Sequence, residues 1–342
     1  MRRRRVSAGL GLGLGWRHAL AGVPLRRSDL GFVEVVAESL PSCRPIPPAL
    51  LAAQKRGVQV VPHGVRLSLG GAERPDRARV SHLAELAVRF GSPLVSEHVA
   101  FVRAGEREAG HLLPVPRTRA ALDVLVANVT EAMAGLPVPL ALEPIAALFE
   151  WPAAEIDEGE FLAELLERTG ALLLLDVANV WANAHNAGTD PVALLGRLPL
   201  DRVAYVHVAG GTESGGLYHD THTHPVQPGV LDLLRQLRRR AAIPGVMLER
   251  DGRFPPNSEL ERELTTIAAI AHPEGPLPVA RPPAPRSADV ASRHRERLAI
   301  EQSELLGALV DRSPAPPGFD TFRLGAARAA LAVKRAEIGL TD

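Results

Sequence analysis

Eight short apolar runs rich in β-branched residues recur along the chain, near residues 7–14, 32–38, 57–64, 93–99, 139–145, 171–178, 203–209 and 245–250. Between most of them lie stretches whose apolar positions recur at three- and four-residue steps. The plainest are VSHLAELAVRF, RTRAALDVLVANVTEAMAG and EGEFLAELLERTG, the last closed by Gly170 where a helix C-cap belongs. Short buried strands alternating with amphipathic helices predict parallel strands joined by right-handed crossovers. Eight such units predict a closed (β/α)8 TIM barrel of about 250 residues, an α/β fold whose active site lies at the C-terminal ends of the strands.

The barrel accounts for residues 1–272. After the helical stretch ELERELTTIAAIA comes PEGPLPVARPPAPR, with six prolines in fourteen residues. Such a segment neither continues a helix nor joins a sheet interior, and residues 273–286 read as a linker. Beyond it, ADVASRHRERLAIEQSELLGALV and FDTFRLGAARAALAVKRAEIG predict two amphipathic helices separated by SPAPPG. This C-terminal helical extension, 287–342, is too small for an enzyme core and is expected to dock on something.

Seven of the eight runs end in His, Asp or Glu: Glu38, His63, Glu97 with His98, Glu143, Asp176, His207 and Glu249. The first ends in glycines. GLGLGLG lacks the G-x-G-x-x-G spacing of a dinucleotide-binding turn and reads as the first strand and its tight turn. HGVRLSLGG reads as a metal-site strand followed by a glycine loop rather than a phosphate cradle. A barrel would bring together His63, His98, Glu143, Asp176, His207, Asp220, His222 and Glu249. Four carboxylates converging in a partly desolvated pocket repel one another unless a cation compensates, and only Arg66 and Arg250 stand at strand ends as counter-ions. Metal ions are the economical solution. The nitrogen and oxygen donor set suits iron or manganese, with more than one ion sharing carboxylates, better than a calcium cage or a single structural zinc. In DTHTHP, an extended backbone would point Asp220, His222 and His224 to one side.

Blander readings attach to single residues. His18, His82, His111, His219 and His294 are expected at the surface or satisfied in the core, and His185 is balanced between the two roles. Single acidic residues at strand ends, such as Glu34 and Glu97, are balanced between a structural role, capping a helix or holding a loop, and a functional one.

Lys plus Arg and Asp plus Glu balance at 39 each, so electrostatics favour neither nucleic acid nor an anionic membrane as partner. Cys43 is the sole cysteine, which excludes an intramolecular disulfide and a metal site built mainly of this chain's thiolates. Arg2–Arg5 could lead a secretory signal, but the stretch that follows is glycine-rich and broken by Trp16-Arg17-His18. A cytoplasmic, soluble protein is expected, with no run of the roughly 20 apolar residues that spans a membrane.

In this order, GLGLGWR, FVEVVAES, HGVRLSLG, LVSEHVAF, LLPVP, LEPI, FLAELLERTGALLLLDVANVWANAHN, PLDRVAYVHVAG, DTHTHPV and MLERD resemble the multinuclear non-haem iron-dependent oxidases related to the iron enzyme of methanobactin biosynthesis. The resemblance spans about residues 8–252. It implies a xylose-isomerase-like barrel with two or three irons and His63, His98, Glu143, Asp176, His207, Asp220, His222 and Glu249 as ligands. Asn179 would contribute to a third metal position, and His185, His224, Glu38 and Glu97 fall to metal or supporting roles. Three departures from the family pattern, Pro144, Ala178 and Gly211, bear on that third position and leave the presumed two-iron core intact. The implied activity is oxidation, by iron and dioxygen, of cysteine residues in a ribosomally synthesised precursor peptide during natural-product biosynthesis, often with a separate peptide-presenting partner protein. The extension resembles one seen in actinobacterial members. Two other readings stay open: a manganese- or zinc-dependent sugar isomerase or phosphodiesterase-type hydrolase on the same barrel, and a non-catalytic binding module.

Overall fold

In a computed structural model, residues 9–41, 44–283, 288–337 and 340 are described. Arg2–Arg5, the start of the first apolar run, Cys43 and the last residues of the Pro-rich linker lie outside them. Each of the eight runs overlaps a strand: β1 Gly11–Gly15, β2 Leu30–Val36, β3 Gln59–His63, β4 Val95–His98, β5 Leu140–Glu143, β6 Leu172–Asp176, β7 Val203–Val208 and β8 Gly245–Leu248. They close into a parallel barrel in sequential order, with β1 pairing both β2 and β8.

The three helices read from periodicity form as Arg77–Phe90, Arg119–Ala134 and Glu158–Thr169. Their ends are set by local chemistry. Asp76, Thr118 and Asp157 accept hydrogen bonds from first-turn amides, and Gly91 and Gly170 take left-handed conformations at the C-caps.

Strand side chains alternate between the surrounding helices and the barrel interior. Inside, Phe32, Val61, Ala141, Leu174, Tyr205 and Met247 share one apolar cluster. Two residues further along six of the strands stand Glu34, His63, Glu143, Asp176, His207 and Glu249, all buried. Register levels this polar tier, pairing His98 with Glu143 and Asp176 with His207. β1 adds no side chain to it. A Cβ on Gly13 would lie 2.3 Å from the Phe32 ring, so glycine there makes room for the largest apolar side chain beneath the site.

Two antiparallel hairpins were not evident from sequence. Ala100–Ala104 pairs with Arg107–Pro114 beyond β4, and Thr212–Ser214 with Leu217–His219 beyond β7. The second leads into Asp220 and His222.

The extension forms helices Ala288–Val310 and Thr321–Glu337 and docks on its own barrel. Leu305, Leu309, Leu324 and Leu331 join Phe101, Leu113, Phe149 and Trp151 in a second apolar cluster. Gln302, fully buried, donates to the Gly70 carbonyl at 2.8 Å and accepts from the Ala72 amide at 2.9 Å. The glycine loop after β3 is therefore an anchor for the extension. The Pro-rich segment packs across the opposite, N-terminal end, where Leu277 enters the interior cluster and the Arg281 amide donates to the Gly170 carbonyl.

Candidate metal centre

The strand ends converge on a compact set of donors. Glu143 Oε2 lies 3.6 Å from His63 Nε2 and 3.3 Å from His98 Nε2, while Glu143 Oε1 lies 3.4 Å from His207 Nδ1. His207 Nδ1 is also 3.1 Å from Glu249 Oε2, which stands 3.3 Å from His222 Nδ1. His222 Nε2 lies 3.9 Å from Asp176 Oδ2 and contacts Asp220. Among the described residues, four overlapping triads could each hold an ion: His63, His98 and Glu143; Glu143, Asp176 and His207; Asp176, His222 and Glu249; Glu34, His207 and Glu249.

The remaining hydrogen bonds decide which atoms are free. Asp176 Oδ1 caps the helix Val177–Ala187, accepting from the Ala178 and Asn179 amides, and Oδ2 is left without a partner. Glu143 Oε2, His207 Nδ1, Asp220 Oδ1 and Asn179 Oδ1 are likewise buried and unpartnered. Orphaned buried polar atoms are costly, and here they cluster on one tier with mostly acceptor character. A cation satisfies them together. The residues present fit a multinuclear centre of nitrogen and oxygen donors.

Ring orientations are fixed from behind. His63 Nδ1 lies 2.8 Å from Ser96 Oγ, and His98 Nδ1 lies 3.2 Å from the Gly64 carbonyl, leaving each Nε2 for the centre. His207 is reversed: Nε2 meets Glu34 Oε2 at 2.9 Å and Nδ1 faces inward. The Tyr205 hydroxyl bonds both Glu34 and Ser96, joining His63 and His207 through one buried network. Glu34 already accepts from Tyr205 and His207, so despite belonging to a triad it serves as an orienting group.

Electrostatics register the crowding. Burial opposes charge on His98, yet Glu143, Glu97 and Glu249 hold its pKa up at about 9. Glu143, against its burial, is pulled down to about 2 by His207 and His98. Burial and then Asp220 push Asp176 up to about 7. His222 is held well above its ordinary value by Asp220 and Glu249, and Glu249 well below its own by His222 and His207, both against burial.

The structure thus brings together His63, His98, Glu143, Asp176, His207, His222 and Glu249. Asp220 belongs to none of the triads and meets the group through His222. Asn179 sits at its edge, donating to the Pro144 carbonyl. Glu97 is a scaffold, its carboxylate accepting from the Leu67 and His98 amides, and Glu38 accepts from the Val65 amide at the rim. His185 lies apart, 3.4 Å from Glu213. The one-sided arrangement expected of DTHTHP does not form, because His222 adopts φ +53° and breaks the extended backbone. His224 instead contacts Thr221 and Arg253.

Two residues were missed as site components. Glu34 sits inside an apolar run, but its two-residue step from Phe32 marks it as inward-facing. Arg17 reaches from the turn after β1 to Glu249 and Asp251, supplying the counter-ion sought at Arg66 and Arg250. Neither of those faces the centre: Arg66 pairs with Glu108 and Arg250 with Glu263. Gly211 is explained by close packing within its hairpin, where a Cβ would lie 2.4 Å from the His219 carbonyl oxygen and 2.5 Å from the Tyr218 ring.

Residues 11–272 match the model of the RiPP precursor modification enzyme family MbnB/TglH/ChrH. The chain belongs to this family. Residues 299–339 of this MbnB/TglH/ChrH member also match the SCO6045-like C-terminal domain. A UPF0276 protein of Streptomyces avermitilis is 47% identical, covering 99% of this chain and 80% of its own length. One from Chromobacterium violaceum is 38% identical over 71% of this chain and 88% of its own. Among solved structures, a xylose isomerase domain protein from Planctomyces limnophilus matches with TM-score 0.50 at 16% identity, covering 77% of this chain and 99% of its own. Endonuclease IV from Thermus thermophilus matches with TM-score 0.50 at 20% identity and the same coverage. These two bear out the xylose-isomerase-like barrel of this family member. No helix among the described residues is long and apolar enough to cross a membrane.

Proposed function

We propose that this protein is an iron-dependent oxidase that uses dioxygen to modify cysteine in a ribosomally synthesised precursor peptide. The observation that carries the reading is the shared carboxylate: Glu143 faces His63 and His98 with one oxygen and His207 with the other. Glu143 would thereby help to hold more than one ion. His63, His98, Glu143, Asp176, His207, His222 and Glu249 would hold the metal, with Asp220 beside His222 as an eighth donor.

When bound, iron supplies the electron transfer that couples dioxygen reduction to thiol oxidation. The chain's own residues do the rest. Ser96, Tyr205, Glu34 and the Gly64 carbonyl fix the tautomers that aim His63 Nε2, His98 Nε2 and His207 Nδ1 inward. Glu143 and Glu249 stay ionised, as cation binding requires.

Anaerobic purification with metal analysis, followed by oxygen uptake on cysteine-containing peptides, tests this. The expected result is about two or more irons per chain and peptide-dependent oxygen consumption that manganese or zinc does not support. Less than one tightly bound transition metal per chain, or turnover without dioxygen, would overturn it.

A further inference from the structure

Beside the metal centre, between the barrel loops and the C-terminal extension, lies a cavity of about 690 Å³. Val99 and Pro144, the residues next in chain to His98 and Glu143, line it. Gly318, Asp320 and Arg323 of the extension form another part of its lining. We propose that this cavity seats the peptide segment flanking the reacting cysteine, and that the extension is one wall of the peptide site. The inference rests on the peptide-oxidase reading and adds where the peptide lies and which part of this chain selects it.

Position is the first support. A segment lying in this cavity runs alongside the backbone that carries two of the metal-facing side chains. Size is the second, since the volume falls within the range of about 300–1,000 Å³ typical of ligand sites. The third is the mixed character of the lining. Ile145, Trp151 and Phe161 offer apolar surface, and Glu158 and Arg197 offer charge. Glu158 hydrogen-bonds Asn183 and is attracted by Arg117 and Arg197 without forming an ion pair with either, whereas Glu150 pairs with Arg117, and Asp157 and Asp320 cap helices. An extended peptide presents apolar side chains and polar backbone together and needs such a surface. Glu158 is suited to a lysine or arginine side chain of the peptide.

The extension's share of the wall is held firmly. Phe319 packs edge-on against Trp151, with ring centroids 5.3 Å apart, and against Phe149 at 5.9 Å. Arg323 donates to the Asn186 carbonyl at the end of the helix Val177–Ala187. The wall is therefore preformed, which lowers the ordering cost of binding a flexible peptide.

The test is a display selection of random decapeptides with a fixed central cysteine against the full-length, iron-loaded protein under anaerobic conditions. Binding of the selected peptides is then measured by fluorescence anisotropy. Ala154 and Ala187 are exposed cavity-lining positions. Ala154→Trp and Ala187→Trp should each weaken binding by about tenfold or more with iron content and melting temperature unchanged. Arg323→Glu should weaken it from the other wall with iron content unchanged but with a lowered melting temperature, because it also removes the bond to the Asn186 carbonyl. Glu158→Lys should reverse a preference for basic flanking residues. Failure to enrich any sequence, or binding indifferent to both tryptophan substitutions, overturns the proposal. Peptides that bind in the cavity but are left unmodified in dioxygen would sink the oxidase reading and leave this site standing. Peptides oxidised at wild-type rates by both cavity-filled variants would sink the site alone.

Discussion

His207 Nε2 lies 2.9 Å from Glu34 Oε2, with both side chains buried behind the metal-facing tier. Glu34 thereby fixes which imidazole nitrogen is presented to the centre. Glu34→Gln should preserve the fold and the number of metal ions but weaken metal affinity by about 10–100-fold. Tyr205→Phe should act in the same direction, because it removes the hydroxyl joining Glu34 to Ser96. Competition titration against a chelator of known affinity measures both. A drop in stoichiometry with Glu34→Gln would make Glu34 a ligand.

Glu143 differs because two triads share it. Glu143→Gln should remove at least one ion per chain, read by elemental analysis after anaerobic desalting, and abolish peptide oxidation. It also removes the charge that holds His98 up, so the His98 imidazole proton should titrate nearer its ordinary value in the metal-free variant. Histidine resonances followed by NMR against pH would report this. Full metal content in the variant would refute the shared role.

With His98 held at about 9, the metal-free protein carries that proton at neutral pH, and a metal taking Nε2 must expel it. Affinity should therefore fall as pH falls below about 9, by about tenfold per unit for this proton alone, and more steeply below about 7 where Asp176 is also protonated. Calorimetry at pH 8 in buffers of different ionisation enthalpy should show at least about one proton released per chain. Stability of the metal-free fold runs the opposite way. The folded-state pKa of His98 lies above the unfolded value of about 6.5, so its contribution is complete below that pH and is lost as pH rises through about 9.

Gln302 bonds the Gly70 carbonyl and the Ala72 amide from the buried face of the helix Ala288–Val310. Gln302→Leu strands both backbone groups and should cost about 1–3 kcal/mol. Limited proteolysis near the Pro-rich linker and a lowered melting temperature would show it. An unchanged digestion pattern would mean that the apolar cluster alone anchors the extension.

The strands and most of the polar tier were legible because both follow local rules: period-two burial, and a polar residue where an apolar run stops. Glu34 was obscured because it stands inside a run rather than at its end, with the run continuing to Val36. Arg17 was obscured by distance, since its contact with Glu249 spans 232 residues and depends on barrel closure bringing β1 beside β8. His222 and His224 misled because alternation in DTHTHP fits an extended segment, whereas the segment turns at His222. The amphipathic pattern of the last helices announced an apolar face without naming its partner. That partner is the helix Arg119–Ala134 together with the hairpin after β4, itself too short and irregular to be read from pattern.

Leu277 closes the N-terminal end of the barrel from a segment that continues into the helices packed against the opposite rim. Tied at both poles of the same cylinder, barrel and extension are expected to unfold together. Calorimetry should record a single melting transition, and loosening either tie should lower the melting temperature of the whole.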